Sequence, residues 1–353
     1  MNIAQIKDSV LREDLEWLSK CSIPFEELKG CTIIVTGATG LVGSQTVRAL
    51  SFVNDTHDLG MRIIASVRDR KKAEQIFGND DIEYLIGDVT KPLSVDGKVD
   101  HIIHAASITS SKTMVSKPVE TIETAVEGTR NLLELAKEKN VKSFLYISSM
   151  EVYGSFAAEK YVSEEDMGYI DPLAVRSNYP LCKRLCENMC IAYAEEFGIP
   201  VKIARLSQTF GAGILPGENR VFAQFARSAI SGTDIVLHTK GLSEGNYCYT
   251  RDTVAALILL MLRGKDREAY NVSNEECHTT IADMAKMVAD VIAEGSIKVI
   301  FDIPEGNTYG YAADTKMKLN TSKIKELGWN PSVGLTEAYR RLMKSMKESE
   351  NGV

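Results

Sequence analysis

The sequence predicts an α/β protein: a doubly wound parallel sheet with a smaller, mostly C-terminal lobe. Three observations predict it. Short apolar strands alternate with helical segments up to about Arg205, as in a parallel sheet covered on both faces. A glycine-rich turn, Thr36-Gly37-Ala38-Thr39-Gly40-Leu41-Val42-Gly43, separates the first strand from the helix after it. Beyond about Leu206 the alternation loosens, with Gly211, Gly213 and Gly217 clustered as a loop.

Taken in order, the first segment is a helical preface, with Val10, Leu11, Leu15 and Leu18 at roughly helical spacing. It can pack on the domain or on a second subunit. Cys31 to Val35 is a continuous apolar strand, and Leu41 to Leu50 a helix. Arg62 to Val67 is the next strand, followed by a charged helix from Lys71. Ile82 to Ile86, His101 to His104 and Ser143 to Ile147 continue the series, with a helix from Val119 to Asn140 between the last two. Val201 to Arg205 adds another strand. Val254 to Leu262 is an apolar run too short to span a bilayer and reads as a buried helix.

Bulk properties narrow the function classes. The 353 residues carry a net charge of −7, so there is no basic surplus for nucleic acid. The N-terminus lacks a basic start and an apolar core, so no secretory signal or membrane association is expected. Seven cysteines without paired spacing fit reduced thiols in a cytoplasmic protein. Cys182, Cys186 and Cys190 share a helical face, where three small buried hydrophobes are the plainer reading than a metal site. For His101 and His104, a backbone-bonded role is expected rather than a metal one.

Gly37, Gly40 and Gly43 suit a turn that lets the backbone approach a pyrophosphate, while the following helix offers free N–H groups and the positive end of its dipole. The charged residue after the second strand separates NAD from NADP. Arg68 favours a 2′-phosphate, but Asp69 is adjacent, so both cofactors stay open. Asp88 ends the third strand and could accept from an adenine amino group; a surface turn is the alternative. Tyr179 and Lys183, four apart, share a helix face. A nearby ammonium favours phenolate, so Tyr179 is expected below its free pKa of about 10 and able to act as acid or base. Ser149, after the strand ending at Ile147, supplies a hydroxyl for the reacting oxygen, and Ser148 is expected to turn toward backbone.

These pieces resemble the extended short-chain dehydrogenase/reductase family, in its nucleotide-sugar epimerase/dehydratase branch. The resemblance rests on the glycine turn, His104-Ala105-Ala106-Ser107, Gly128 to Leu133, Ser149 to Gly154, Tyr179 with Lys183, Arg205, Asn219 to Phe222, and Leu327 to Pro331. It covers nearly everything after residue 30. It implies a Rossmann domain over residues 30–206, rejoined by 234–270, with an extension at 1–29 and a substrate lobe of 207–233 and 271–353. It also implies a retained NAD or NADP held by Gly37, Thr39, Gly40, Leu41, Val42, Gly43, Arg68, Asp88, Val89, Ala105, Ala106, Ser107, Ile147, Ser148, Tyr179 and Lys183. Thr109, Met150, Gln208 and Arg220 are the implied substrate contacts, and a homodimer through the Tyr179 helix is the implied assembly.

The implied reaction is transient oxidation of a nucleotide-linked sugar at C4. Glu151, two residues after Ser149, is similar to the carboxylate of dTDP-glucose 4,6-dehydratases and UDP-glucuronate decarboxylases, and would carry a proton in the second step. Its alternative is a turn cap. The chain departs from the family pattern at Met150, which cannot donate a proton, at Ala125, at Gln208 in place of asparagine, and at Gly245 in place of an arginine. Dehydration is the first expectation, followed by decarboxylation and then epimerisation. An NADP-dependent carbonyl reductase and a non-catalytic, cofactor-sensing module are the rival readings.

Overall fold

Seven parallel strands form the main sheet of the computed structural model, which describes residues 6–78, 82–156, 160–215, 217–304 and 314–350. In chain order the elements begin with α1 (Ser9–Ser19), β1 (Thr32–Thr36), α2 (Leu41–His57), β2 (Arg62–Val67), α3 (Arg70–Phe77), β3 (Glu83–Ile86) and β4 (His101–His104). Then come α4 (Ser111–Ser116), α5 (Pro118–Lys139), β5 (Ser143–Ser149), β6 (Lys160–Val162), α6 (Asn178–Phe197) and β7 (Val201–Leu206). The rest comprises β8 (Gln208–Phe210), α7 (Val221–Ser231), β9 (Ile235–Leu237), β10 (Glu244–Tyr249), α8 (Thr250–Arg263), β11 (Glu268–Val272) and β12 (Asn274–Thr280). It ends with α9 (Ile281–Met287), β13 (Val299–Phe301), β14 (Met317–Leu319), α10 (Ser322–Lys325) and α11 (Leu335–Glu350).

The main sheet runs β11-β7-β5-β4-β1-β2-β3, with every adjacent pair parallel. β1, β4 and β7 are buried along their whole length because helices cover both faces. One face packs against α2 and α8, the other against α5 and α6. Val254 to Leu260 are almost fully buried within α8, which explains that apolar run. Among the described residues no helix is long and apolar enough to cross a membrane. All seven cysteines are free; Cys182, Cys186 and Cys190 are buried on the α6 side of the second layer.

Strand order reverses between β4 and β1, so the chain leaves their carboxyl ends toward opposite faces of the sheet and a crevice opens between the two connections. The second lobe has its own core, built on the three-stranded sheet β12-β10-β8 with α7, α9 and α11. Within 234–270, β9 pairs with β13 and β10 joins β8 and β12, while α8 covers the main sheet and β11 extends it. β6 and β8 are short strands that the sequence pattern did not mark.

The helical preface packs on its own chain. Asp8 caps α1 by accepting from the amides of Val10 and Leu11 at 2.9 and 3.1 Å. Val10, Leu11, Leu15 and Leu18 are all buried, and α1 contacts α2, α8 and α11. Each such side chain contributes roughly 1.5–3 kcal/mol by leaving water. Polar ties fix the orientation: Arg341 reaches Asp14 at 2.9 Å, and the Tyr249 hydroxyl donates to the same carboxylate at 2.7 Å.

Candidate active site

The glycine turn is built for close approach. Gly37 has φ +62°, and a Cβ there would lie 2.8 Å from the backbone of Ala105 and Ala106. A Cβ on Gly43 would sit 2.3 Å from the Gly37 carbonyl oxygen. α2 begins after Gly40 with no side-chain cap, so its first amides are left for an anion. Thr39, Gly40, Leu41, Val42 and Gly43 line this turn at the carboxyl end of β1. The cradle fits a dinucleotide pyrophosphate.

Neighbouring strand ends converge on the same crevice. Ala105, Ala106 and Ser107 follow β4, Arg68 follows β2, and Asp88 and Val89 follow β3. The Asp88 carboxylate accepts from the Thr90 amide at 2.9 Å, which holds its pKa down, and lies 3.8 Å from Arg68. Asp69 caps α3 through the Lys72 amide at 3.2 Å, so Arg68 is the freer charge at the end of β2.

A buried chain ties β1 to β4 beneath the cradle. The Thr36 hydroxyl oxygen accepts from the amides of Ala105 and Ala106, each at 3.1 Å. Its proton therefore goes to His104 Nδ1, 2.8 Å away, and His104 Nε2–H donates to Thr129 at 3.3 Å. Burial pushes the His104 pKa down to about 3, so the ring is neutral at pH 7. His104 thus bonds two threonine side chains instead of backbone. Among the described residues no cluster of potential metal ligands occurs.

β5 and α6 bring the reactive groups together. Ser149 ends β5, and its hydroxyl lies close enough to the buried Tyr179 phenol to act on its protonation. The phenol departs from expectation: its pKa is raised, by burial first and then by the Glu151 charge. The Ser149 hydroxyl and the charges of Arg176 and Arg220 oppose the rise. Lys183 donates to the Ile147 carbonyl at 2.7 Å and lies 5.8 Å from the Tyr179 ring centre. Burial lowers the Lys183 pKa to about 8. Desolvation therefore outweighs the nearby ammonium in the protein alone.

Glu151 lies on the turn Met150–Tyr153, where Ser149 accepts from its amide at 3.2 Å. Its carboxylate is not a cap: it pairs with Arg176 at 3.1 Å. Met150 is buried, Gln208 is half-buried at the start of β8, and Thr109 is exposed on the way to α4. Arg220 stands at the N-terminal boundary of α7 without capping it, and forks onto Glu218 through bonds of 3.0 and 2.6 Å. At Gly245 a Cβ would lie 2.5 Å from the Tyr247 ring, so that ring fills the space of a longer side chain.

Ser148 points to a carboxylate, not to backbone. It donates to Glu187 at 2.5 Å, and Glu187 takes a forked bond from Arg205 at 2.7 and 3.0 Å. Arg205 also donates to the Tyr153 hydroxyl at 3.1 Å. This buried network locks α6 to β5 and β7, and so fixes the helix carrying Tyr179 and Lys183. Sequence reasoning missed Arg176, Thr36 and Glu187 as parts of the site. Only the position of Arg176, one turn before Tyr179, could have marked it.

The fold and this constellation define a dinucleotide-binding protein with a serine, a tyrosine and a lysine at the crevice floor. The model of the NAD dependent epimerase/dehydratase family matches residues 33–273, and the chain belongs to that family. UDP-glucuronic acid decarboxylase 1 of Danio rerio is 30% identical over 314 residues, 88% of this chain and 72% of the relative. UDP-glucuronic acid decarboxylase 3 of Arabidopsis thaliana is 31% identical over 307 residues, 86% of each chain. Among solved structures, UDP-glucose 4-epimerase of Thermotoga maritima, with UDP-glucose, superposes with a TM-score of 0.76 at 22% identity, covering 90% of this chain and 99% of that one. A dTDP-glucose 4,6-dehydratase of Streptomyces venezuelae, with NAD bound, gives 0.75 at 22%, covering 91% and 98%. At that identity the two structures show the fold. The chain is an enzyme of this nicotinamide-dependent, nucleotide-sugar family.

Proposed function

We propose that the protein decarboxylates a nucleotide-linked uronic acid. The observation that carries this reading is the placement of the Ser149 hydroxyl and the Glu151 carboxylate, two residues apart, where both act on the Tyr179 phenol. Nicotinamide, when bound, takes hydride from sugar C4 and later returns it. Tyr179 removes the C4 hydroxyl proton, Ser149 hydrogen-bonds the same oxygen, and Lys183 holds charge beneath the phenol. A C4 ketone places a C5 carboxylate β to a carbonyl, so the bond from C5 to the carboxylate can break: carbon dioxide leaves, and the bonding pair stays on the sugar, drawn toward the C4 oxygen. Glu151 handles the proton at C5. Two observations favour this step over loss of water: the relatives above are decarboxylases, and Met150 stands where a proton donor for a leaving hydroxyl would be needed. Dehydration is the second reading, because Glu151 is equally suited to remove a C5 proton.

Arg68, with Asp69 engaged as a helix cap, supports tolerance of NADP as well as NAD. A second copy of the chain fits the α5–α6 face. Its groove of about 420 Å³ is lined by Pro118, Ile122, Val126, Leu173, Val175 and Leu185, and Leu173 is 91% exposed. Cytoplasmic residence accords with the free thiols.

Incubation of purified enzyme and NAD with UDP-glucuronate, UDP-glucose or dTDP-glucose, followed by mass spectrometry, tests the reading. Loss of carbon dioxide from the uronate is expected. Loss of water from a neutral sugar, or an isomer of unchanged mass, would replace it. For the assembly, Leu185→Glu is expected to sediment as a monomer where wild type is a dimer.

A further inference from the structure

Three arginine–glutamate pairs stand at or near the crevice, and one is built differently. Arg220 engages Glu218 through Nε and Nη2, one to each oxygen, and Arg205 engages Glu187 in the same forked way. Both guanidiniums are used along a full edge. Arg176 instead offers a single nitrogen, Nη2, to both oxygens of Glu151, at 3.2 and 3.1 Å. A planar guanidinium carries five N–H groups in a fixed fork, so this one keeps most of its donors for another acceptor.

Position makes the difference usable. Arg176 lies on the short turn Val175–Ser177 that leads into α6, close enough to Tyr179 for its charge to act on the phenol. Its side chain is 33% exposed and that of Glu151 38%, whereas the Arg205–Glu187 pair is sealed at 6% and 9%. A half-solvated ion pair is weak and can exchange partners. Lys183 is held at the Ile147 carbonyl and Arg220 is forked onto Glu218 through two nitrogens, so Arg176 is the guanidinium at the phenol that is held through one nitrogen alone.

We propose that Arg176 is the specificity-determining contact for an acidic sugar: a carboxylate on the substrate takes its unused N–H groups and displaces Glu151. The displaced Glu151 then faces the carbon beside the ketone with its lone pairs unoccupied. A neutral sugar leaves the pair closed and the proton carrier held. This inference rests on the nucleotide-uronate reading above and assigns its selectivity to one side chain.

Calorimetric titration of the NAD-loaded enzyme with UDP-glucuronate and UDP-glucose tests it, using wild type, Arg176→Met, Arg176→Lys and Glu151→Gln. Arg176→Met is expected to lose about tenfold or more in uronate affinity, with UDP-glucose binding unchanged. Arg176→Lys is expected to recover part of the loss. Glu151→Gln removes the competing carboxylate, so displacement predicts tighter uronate binding than in wild type. An Arg176→Met enzyme that still prefers the uronate, or a Glu151→Gln enzyme that binds it more weakly, overturns the inference while the reaction class stands. A wild type with no preference for the uronate and no release of carbon dioxide overturns both. Matching thermal unfolding of the four proteins confirms that binding, not folding, is compared.

Discussion

Lys183 directs its ammonium to the carbonyl oxygen of Ile147, 2.7 Å away, and not to the phenol of Tyr179 one helical turn earlier. The bond crosses from α6 to β5 and sets the cation beneath the cofactor crevice. Both side chains are buried, and each pays for burial in its protonation: the phenol is pushed up and the amine down. Burial shifts both groups toward their neutral forms, yet at a pKa of about 8 the amine still carries its proton at pH 7.

Tyr179→Phe keeps the buried ring and removes only the hydroxyl. Turnover is expected to fall by about 10²–10⁴-fold or more, the scale of a lost acid–base group, while NAD binding persists. Steady-state rates alongside a cofactor fluorescence titration check this. A Tyr179→Phe enzyme with near-normal turnover would remove the phenol from the reaction.

Lys183→Met is expected to be inactive yet more heat-stable. The folded pKa of about 8 lies below the ordinary 10.5, so the stability linked to this group is present above 10.5 and lost as pH falls through 8. At neutral pH the buried ammonium therefore costs on the order of 3 kcal/mol, offset in part by its bond to Ile147, worth about 1 kcal/mol. Thermal unfolding should place the variant above wild type near neutral pH, and the gap should narrow as pH rises toward 10.5. A variant less stable at every pH contradicts the argument.

His104 links acid sensitivity to the cradle. Its folded pKa of about 3 lies below the ordinary 6.5, so its stability is present above 6.5 and lost as pH falls toward 3. His101, buried and lowered to about 4, acts in the same direction. Each contributes a slope of about 1.4 kcal/mol per pH unit in this window. His104→Gln should lower stability at neutral pH, since it breaks the tie between Thr36 and Thr129, but flatten the slope. Urea unfolding at several pH values measures both, and an unchanged slope counts against a neutral His104.

Gly37→Ala attacks the cradle directly. The added methyl meets the Ala105 and Ala106 backbone at 2.8 Å, at a φ of +62° that alanine resists. Shifted strand ends are expected to weaken NAD binding by at least about tenfold and lower stability by about 1–3 kcal/mol. Gly30→Ala is the control: it has a similar φ of +68° but nothing within 4 Å of its Cβ, so it should share the strain without the loss of cofactor.

The sequence by itself determined the parallel sheet, the glycine turn and the Ser149, Tyr179 and Lys183 set. Continuous apolar strands, glycine spacing and the four-residue helical interval are local properties, readable along the chain. It also marked the buried face of α1 but not what covers that face. Tertiary structure decided the rest. Packing against α2, α8 and α11 settled where α1 lies, because an apolar stripe does not name its partner. The partners of Ser148, His104 and Glu151 come from residues far along the chain or across the sheet, and spacing carries no trace of them. The sign of the Tyr179 shift was decided in the same way, since desolvation depends on everything packed around the phenol and outweighs the one lysine that the helix period could bring near.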